Sequence, residues 1–392
     1  MNVALVTEKF PPVVGGGESH IQSLAEGLAA RGHAVTVLTE TPAGTARPGR
    51  SAAAIDIREV PGLVRACQTL DLGAALRSLC DALRSLRDVD LLHVFNRVPA
   101  ALCGLVRGLL PRPVCLSTFE TVITGRRVFG LWDDYGLELE FARRAGALLA
   151  PDAMICGSNL YRDWALREGY PAESVHVVPF GTDLSRFRAD ARLRAGYRRR
   201  MDWAERVVVL VPARPVPRKR IEDVVAALPA VLGELPEAHL VLTDPTRRGD
   251  PGYVARLRSS IADLRLTGHV TWLTGLAVDD MPDLMRAADV VVLPADADGF
   301  GIVLIEAMAS GVPVVASDVP GHDEAVTGDT GFLYPPRDIP RLVAAIVRAA
   351  RRPDPAVRAA ARERVCRHFS TQRMVAGHLD VYERLVRREE SR

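Results

Sequence analysis

The chain has 392 residues, of which 48% are hydrophobic and 25% are charged, and its formal net charge at pH 7 is +2. This length predicts two domains, because a single hydrophobic core stops growing beyond roughly 250–300 residues. The composition is typical of a soluble globular protein, and the small net charge argues against a protein that binds nucleic acid.

Strands alternate with helices along the first half of the chain. The apolar run that begins at Met1 is short and carries no basic leader, so we expect a strand over Val3–Thr7 and not a signal peptide. Further strands are predicted at 34–39, 91–95, 114–118, 153–156 and 175–178, and helices at 18–30, 72–86, 100–110, 137–149 and 160–168. This alternation predicts a mostly parallel sheet that is covered by helices on both faces.

A polar, arginine-rich passage from Ser185 to Arg206 precedes a second half with the same alternation. Strands are predicted at 207–211, 239–243, 270–273 and 289–293, and helices at 221–232, 253–264 and 281–287. No uninterrupted apolar run reaches about 18 residues, so we expect no membrane-spanning helix. Two such halves in series predict two Rossmann-like domains that face one cleft, with ligands beyond the carboxyl ends of the strands.

A glycine triplet, Gly15, Gly16 and Gly17, lies between the first strand and the first helix. Glycines at this point allow the backbone to approach a ligand and to direct N–H groups at a phosphate. A dinucleotide-binding fingerprint would need another glycine at position 20, which is His20, and no Gly-Lys-Ser/Thr follows. Taken alone, the triplet is equally compatible with a tight turn.

A basic, proline-rich loop, 212–220, follows the first strand of the second half. Its Arg214 and Lys219 both lie beyond the carboxyl end of that strand, where they would neutralise a diphosphate leaving group. The alternative is an exposed basic turn. We favour the binding site in view of Glu306 in the same half of the chain.

The most informative segment joins the strand 289–293 to a helix that begins after Gly301. The unpaired N–H groups of a helix N-terminus and the helix dipole favour an anion. Glu306 lies about one turn inside this helix, and helical side chains lean back toward the N-terminus. Amides for a phosphate and a carboxylate for hydroxyl groups suit a sugar joined to a diphosphate and a ribose.

Together these segments resemble the family-4 retaining glycosyltransferases of the GT-B fold. The similarity covers nearly the whole chain in the expected order, and it is carried by residues 10–18, 31–35, 179–183, 214 with 219, 298–301 with 306–309, and 311–317. It implies an α/β protein with two Rossmann-like domains that face an interdomain cleft. We expect an acceptor domain over 1–187, a nucleotide-sugar donor domain over 188–371, and a C-terminal helix, 372–392, that packs back on the first domain.

The resemblance also implies roles for individual residues. The amides of Gly16 and Gly17 would contact the donor phosphates, and Arg214 and Lys219 would stabilise the departing nucleoside diphosphate. Glu306 would accept hydrogen bonds from the ribose hydroxyls. No cofactor or metal ion would be needed, because basic residues and the helix dipole supply the positive potential. The further donor-binding residues would be Leu276, Asp298, Phe300, Gly301, Ile302, Val303 and Leu304.

The chain departs from the family pattern at three positions. Asp298 stands where relatives have a glutamate that meets the donor sugar, so it would select another sugar or act through water. His93 keeps a strand-end histidine, but Phe95 stands where many relatives have another, and a core position for His93 is as well supported as a catalytic one. Glu120 stands where relatives often have histidine, which makes it the most distinctive residue on the acceptor side.

These departures suggest a substrate. With Glu120 and neighbouring acids around the acceptor, a cationic acceptor would fit, and we hypothesise an aminocyclitol or aminoglycoside precursor in antibiotic biosynthesis. An ordinary solvated acidic face is the alternative. For the donor we expect a UDP-sugar such as UDP-N-acetylglucosamine or UDP-glucose.

Other functions stay open at this point. They are transfer to a polysaccharide or lipid acceptor, epimerisation of a nucleotide sugar, and non-catalytic binding of a nucleotide sugar. The six scattered cysteines have no metal-site or redox spacing and predict a reducing, cytoplasmic environment. A homodimer, the linkage position, and a front-face or a covalent mechanism are left open by the sequence.

Overall fold

The computed structural model describes residues 1–11, 15–41, 55–64, 66, 72–86, 88–111, 113–119, 147–244, 249–351 and 354–391. The chain divides into two compact units. Unit 1 comprises Met1–Pro179 with Thr371–Arg392, and unit 2 comprises Phe180–Ser370.

Unit 1 is built on a parallel sheet. Its strands are β1 (Asn2–Val6), β2 (Ala34–Thr39), β3 (Ile55–Glu59), β4 (Leu91–Phe95), β5 (Val114–Ser117), β6 (Ala153–Cys156) and β7 (Val175–Val177). The order β3-β2-β1-β4-β5-β6-β7 reverses direction between β1 and β4. Such a reversal is the switch point at which open α/β sheets bind ligands.

The first helices of unit 1 follow its strands. They are α1 (Gly16–Ala29), α2 (Leu72–Ser85), α3 (Arg97–Leu105) and α4 (Asn159–Arg167). Helix α1 begins two residues before the expected start, and α3 ends at Leu105 and is followed by a short 3₁₀ turn, Arg107–Leu109. Most of the helix predicted at 137–149 lies outside the described residues.

Unit 2 repeats the design. Its strands are β8 (Val207–Val211), β9 (Ala238–Asp244), β10 (Val270–Thr274), β11 (Val290–Leu293), β12 (Val314–Ser317) and β13 (Phe332–Tyr334). They form a parallel sheet in the order β10-β9-β8-β11-β12-β13, with the switch point between β8 and β11. The central strands are almost wholly buried, as expected for continuous apolar runs in a parallel sheet.

The helices of unit 2 begin with the arginine-rich passage. They are α5 (Ala191–Arg200), α6 (Ile221–Glu234), α7 (Pro251–Asp263), α8 (Met281–Ala287), α9 (Ile302–Ala309), α10 (His322–Ala325), α11 (Ile339–Arg351) and α12 (Pro355–His368). Arg194 and Arg198 of α5 bind both oxygens of Asp289 at 2.5 and 2.8 Å, just before β11. Part of the arginine-rich passage therefore anchors a helix to the sheet.

The chain returns to unit 1 in its last helix, α13 (Thr371–Glu390). Tyr382 of α13 is fully buried in the core of unit 1, together with Val375 and Val381. The approach to α1 is close, since a Cβ atom on Gly27 would lie 2.4 Å from a methyl group of Val375. Glycine at position 27 therefore lets the two helices touch.

Candidate active site

The carboxyl ends of β8 and β11 place two loops of unit 2 beside each other. The strands are neighbours in the sheet, although β9 and β10 lie between them in the chain. The backbone N–H of Asp296 donates to the carbonyl of Arg218 at 3.0 Å, which ties the loop after β11 to the basic loop after β8. The fold thereby brings Lys219 and Asp298 together from 79 residues apart.

Lys219 and Asp298 form a largely buried ion pair. Nζ of Lys219 contacts Oδ2 of Asp298, and the two side chains are only 13% and 15% exposed. The other carboxylate oxygen accepts a 2.9 Å hydrogen bond from the N–H of Gly299, and the guanidinium of Arg218 lies 4.0 Å from it. Asp298, whose side chain is shorter than the glutamate expected at this position, is thus paired with the lysine of the neighbouring loop.

The pKa shifts of the pair reflect this burial. Burial lowers the pKa of Lys219, the charges of Arg218 and Arg214 lower it further, and Asp298 opposes them. Burial would raise the pKa of Asp298, but the charge of Lys219 and the contact with His322 hold that pKa well below its usual value. The influence of Arg214 on Lys219 puts the two predicted leaving-group cations within electrostatic range of each other.

The N-terminus of α9 adjoins this pair. Gly301, the residue before the helix, has a φ of 78°, and a Cβ atom there would lie 2.9–3.1 Å from Leu304, His322 and Leu293. The N–H of Leu304 already donates to the carbonyl of Gly301 at 2.8 Å. The amides of Ile302 and Val303 precede Leu304, the first N–H donor of the helix, and are therefore better placed to bind an anion than the amide of Leu304.

Glu306 lies one turn further along α9. Its side chain is partly buried, and burial raises the pKa of its carboxyl group to about 8. The charge of Arg186 opposes that shift only in part. Among the described residues we find no hydrogen-bond donor to this carboxylate, so its oxygens remain open to the hydroxyl groups of a ligand.

The remaining predicted donor residues fall at the same edge of the second sheet. Arg214 is exposed in the loop after β8, and Leu276 is partly exposed after β10. The side chain of Phe300 is instead core, with its ring 5.3 Å from those of Phe180 and Phe369. Phe300 can therefore offer a ligand only its backbone.

In unit 1, Gly16 and Gly17 lie in the first turn of α1, which follows β1. A Cβ atom on Gly17 would lie 3.1 Å from the ring of Phe119. Their amides belong to a helix N-terminus, as a phosphate site requires. Both glycines are at the switch point of the first sheet.

His93 is placed in the core of unit 1. Its side chain is fully buried, with Nδ1 2.6 Å from the hydroxyl of Tyr382 and Nε2 2.9 Å from that of Ser117. Because both ring nitrogens are engaged inside the protein, the geometry favours the core interpretation over the catalytic one. Glu120, the distinctive acceptor-side acid, lies outside the described residues.

The sequence analysis did not single out two groups that the structure places beside these loops. In unit 1, Asn96 has a φ of 67°, donates from Nδ2 to both oxygens of buried Glu8, and accepts at Oδ1 from the N–H of Phe119. In unit 2, His322 contacts Asp298. The positive φ of Asn96 has no sequence signal beyond asparagine's tolerance of that region.

Within the described ranges, no three His, Cys, Asp or Glu side chains gather in a way that would hold a metal ion. Within the same ranges, no helix combines the length and the apolar character needed to cross a bilayer.

Comparison with known proteins identifies the family. Residues 14–186 match the family model described as Glycosyltransferase Family 4, and residues 198–364 match Glycosyl transferases group 1. A GDP-mannose-dependent alpha-(1-6)-phosphatidylinositol monomannoside mannosyltransferase of Mycobacterium tuberculosis is 30% identical over 354 residues, which cover 88% of each chain.

Solved structures share the fold. Sucrose-phosphate synthase from Thermosynechococcus elongatus superimposes with a TM-score of 0.82 at 23% identity, over 98% of each chain. Anabaena Alr3699/HepE, solved in complex with UDP and glucose, gives 0.80 at 20% identity, over 98% of this chain and 99% of that one. The expected GT-B fold is confirmed, and the chain is a glycosyltransferase of the group 1 and family 4 type that uses a nucleotide-sugar donor.

Proposed function

We propose that this enzyme moves a hexose from a nucleoside diphosphate sugar to a hydroxyl group with retention of configuration, and that unit 2 holds the donor. The observation that carries the proposal is the buried Lys219–Asp298 pair beside the N-terminus of α9. A cation and free amides at one switch point suit a diphosphate, and Glu306 nearby in α9 suits a ribose.

The assignment of roles follows from where charge develops. Breaking the bond between the sugar and the diphosphate builds positive charge on the anomeric carbon and negative charge on the leaving oxygen. Lys219 and Arg214 would stabilise that oxygen, and the amides of Ile302 and Val303 would hold the phosphates. Preorganised groups of this kind are each worth about 10²–10³ in rate.

We also propose that the departure of the diphosphate needs no metal ion. Lys219, Arg214 and Arg218 supply positive charge in one loop, and the dipole of α9 adds to it. Transfer that persists at full rate in EDTA supports this proposal, and loss of transfer that Mg²⁺ restores contradicts it.

We also propose which nucleotide sugar and which acceptor the enzyme uses. GDP-mannose is the first donor to test, because the mannosyltransferase that is 30% identical is named for it, and the UDP-sugar prediction is the second. The same relative is named for a phosphatidylinositol acceptor, so we propose a polyol carried on a lipid. The aminocyclitol acceptor rested on Glu120 and stays a prediction.

The test is a matrix of donors and acceptors with purified protein. GDP-mannose, UDP-glucose and UDP-N-acetylglucosamine are each combined with a phosphatidylinositol mannoside, a glucan and 2-deoxystreptamine. We expect Lys219→Met to lower transfer at least about 100-fold. The control is Arg341→Met, which removes a cation from an exposed ion pair on α11.

Two outcomes would contradict the proposed function. One is full transfer by Lys219→Met. The other is the absence of transfer from every sugar nucleotide, either with conversion of the donor to an isomer without acceptor, as for an epimerase, or with binding alone.

A further inference from the structure

His322 is built into the donor-side edge of unit 2, although nothing in the sequence analysis singled it out. It is the first residue of α10 and is fully buried. Its Nδ1 lies 3.0 Å from the carbonyl oxygen of Ser317, and its Nε2 lies 3.4 Å from Oδ2 of Asp298. One ring therefore joins the end of β12 to the loop after β11.

The anchor of this ring is itself fixed. The hydroxyl of Ser317 donates to the carbonyl of Ala295 at 2.6 Å and accepts from the N–H of the same residue at 2.9 Å. The ends of β11 and β12 are thereby held together by a buried side chain. The ring of His322 is fixed to a rigid part of the sheet.

The ring and its segment pack closely against the loop after β11. A Cβ atom on Gly301 would lie 3.0 Å from Cδ2 of His322. A Cβ atom on Gly321, which has a φ of 99°, would lie 2.9 Å from the carbonyl oxygen of Asp298. The segment that carries His322 thus packs directly on the loop that carries Asp298, and both contacts depend on glycine.

The same carboxylate oxygen, Oδ2 of Asp298, receives Lys219 and His322. Nδ1 of His322 faces the carbonyl oxygen of Ser317, and its Nε2 faces the carboxylate of Asp298. We propose that His322 is a positioning residue of the donor site, which acts through Asp298 to hold the ammonium group of Lys219 against the loop after β11. This inference rests on the proposed function, in which Lys219 meets the diphosphate.

Because His322 is fully buried, it acts through Asp298 and not by touching the donor. Its loss would leave Asp298 and Lys219 chemically intact but less well placed. Outer groups that orient a site are typically worth about 10–100-fold, less than a group that touches the reacting atoms. We expect the loss of His322 to lower kcat for transfer more than it changes the KM for the donor.

The first experiment detects the surroundings of the Lys219 ammonium group and needs no measurement of activity. Lys9 and Lys219 are the only lysines in the chain, so protein labelled with ¹³Cε-lysine gives two side-chain signals. We expect His322→Leu to shift the Lys219 signal and its titration with pH, while the Lys9 signal stays in place. An unmoved Lys219 signal would overturn the proposal, whether or not a substrate is known.

The second experiment reads activity in a cycle of variants. His322→Leu is expected to lower kcat about 10–100-fold, and His322→Gln, which keeps an N–H donor, to restore most of it. In an Asp298→Asn background, His322→Leu should cause little further loss, because coupled residues are not additive. His239→Leu is the matched control, since this buried histidine pairs with Thr271 at the other end of β9 and β10.

The results separate the two proposals. If Lys219→Met is inactive but His322→Leu keeps the wild-type kcat, the positioning role is wrong and the proposed function stands. If the Asp298 and His322 losses are fully additive, His322 acts by another route. If wild-type protein transfers no sugar while the Lys219 signal responds to His322→Leu, the positioning role stands and the proposed function fails.

Discussion

At the scale of single residues, burial makes the charged form of Glu306 unfavourable while no ligand is bound. Burial raises its carboxyl pKa to about 8, well above the usual value of 4.5. Near neutral pH the folded chain therefore holds a proton that the unfolded chain has lost. A ligand whose hydroxyl groups donate to the carboxylate would favour the release of that proton.

This proton links the stability of the protein to pH. Because the folded pKa lies above the unfolded one, Glu306 makes the free energy of unfolding fall as pH rises from about 5 to 8. We expect Glu306→Gln to remove that part of the slope, about 1–4 kcal/mol across the window. Urea unfolding of both proteins at pH 5.5 and pH 8 measures it, and equal slopes would contradict the assignment.

At the scale of elements, the start of α9 depends on the backbone of Gly301. A φ of 78° suits glycine, and the space around its Cα is filled by Leu304, His322 and Leu293. The amides of Ile302 and Val303 follow this turn directly, at the start of the helix. Stability and the proposed binding of the donor would therefore depend on the same residue.

We expect Gly301→Ala to lower the free energy of unfolding by about 1–3 kcal/mol and to weaken nucleotide binding, because the turn must strain or open. Gly233→Ala is the control, since Gly233 lies in α6 with open space around it, and alanine there should be neutral or stabilising. Thermal unfolding and titration with GDP and UDP give both quantities. A Gly301→Ala protein that binds and melts like wild type would rule out this role for the turn.

At the scale of the whole molecule, three histidines meet inside unit 1. His20, His93 and His378 come from α1, β4 and α13, with ring centroids 5.7 and 5.8 Å from His378 to the other two. Burial lowers the pKa of all three, that of His378 to about 4, and neighbouring histidines add to the effect on His20 and His93. The cluster is thus neutral in the folded protein.

Acid should weaken this cluster. The folded pKa values lie below the unfolded value of 6.5, so the unfolded chain binds protons first and stability is lost as pH falls below about 6.5. We expect His378→Phe to remove up to about 2 kcal/mol of that acid sensitivity between pH 7 and pH 5. The measurement is urea unfolding at pH 7 and pH 5. An identical loss in both proteins would show that His378 does not titrate as described.

Much of this architecture was predictable because buried parallel strands appear as continuous apolar runs. Strand β3 escaped prediction, since only Ile55 of its five residues is buried. In unit 2 the predicted Lys219 and Asp298 meet because strand ends share one edge of a sheet. No local sequence pattern indicates the 3.4 Å contact of Asp298 with His322, because this contact depends on how the turns at Gly301 and Gly321 pack together.

A long-range contact explains why the place of His93 could not be predicted from the sequence. The sequence analysis took His93 as a strand-end residue, where a catalytic residue is expected. It is instead the middle residue of β4, and its hydroxyl partner Tyr382 is 289 residues away. No periodicity in the sequence indicates that pairing. The return of α13 to the first sheet brings the hydroxyl of Tyr382 to the buried ring of His93.

That return also sets an order of events during synthesis. Residues 180–370 are complete before the ribosome reaches α13, so the second unit can fold while the first still lacks Tyr382 and His378. Until α13 packs, the apolar surface of α1 around Gly27, which Val375 contacts in the folded protein, is uncovered. Newly made protein should therefore be most exposed to chaperones and proteases until α13 has been synthesised and has packed against α1.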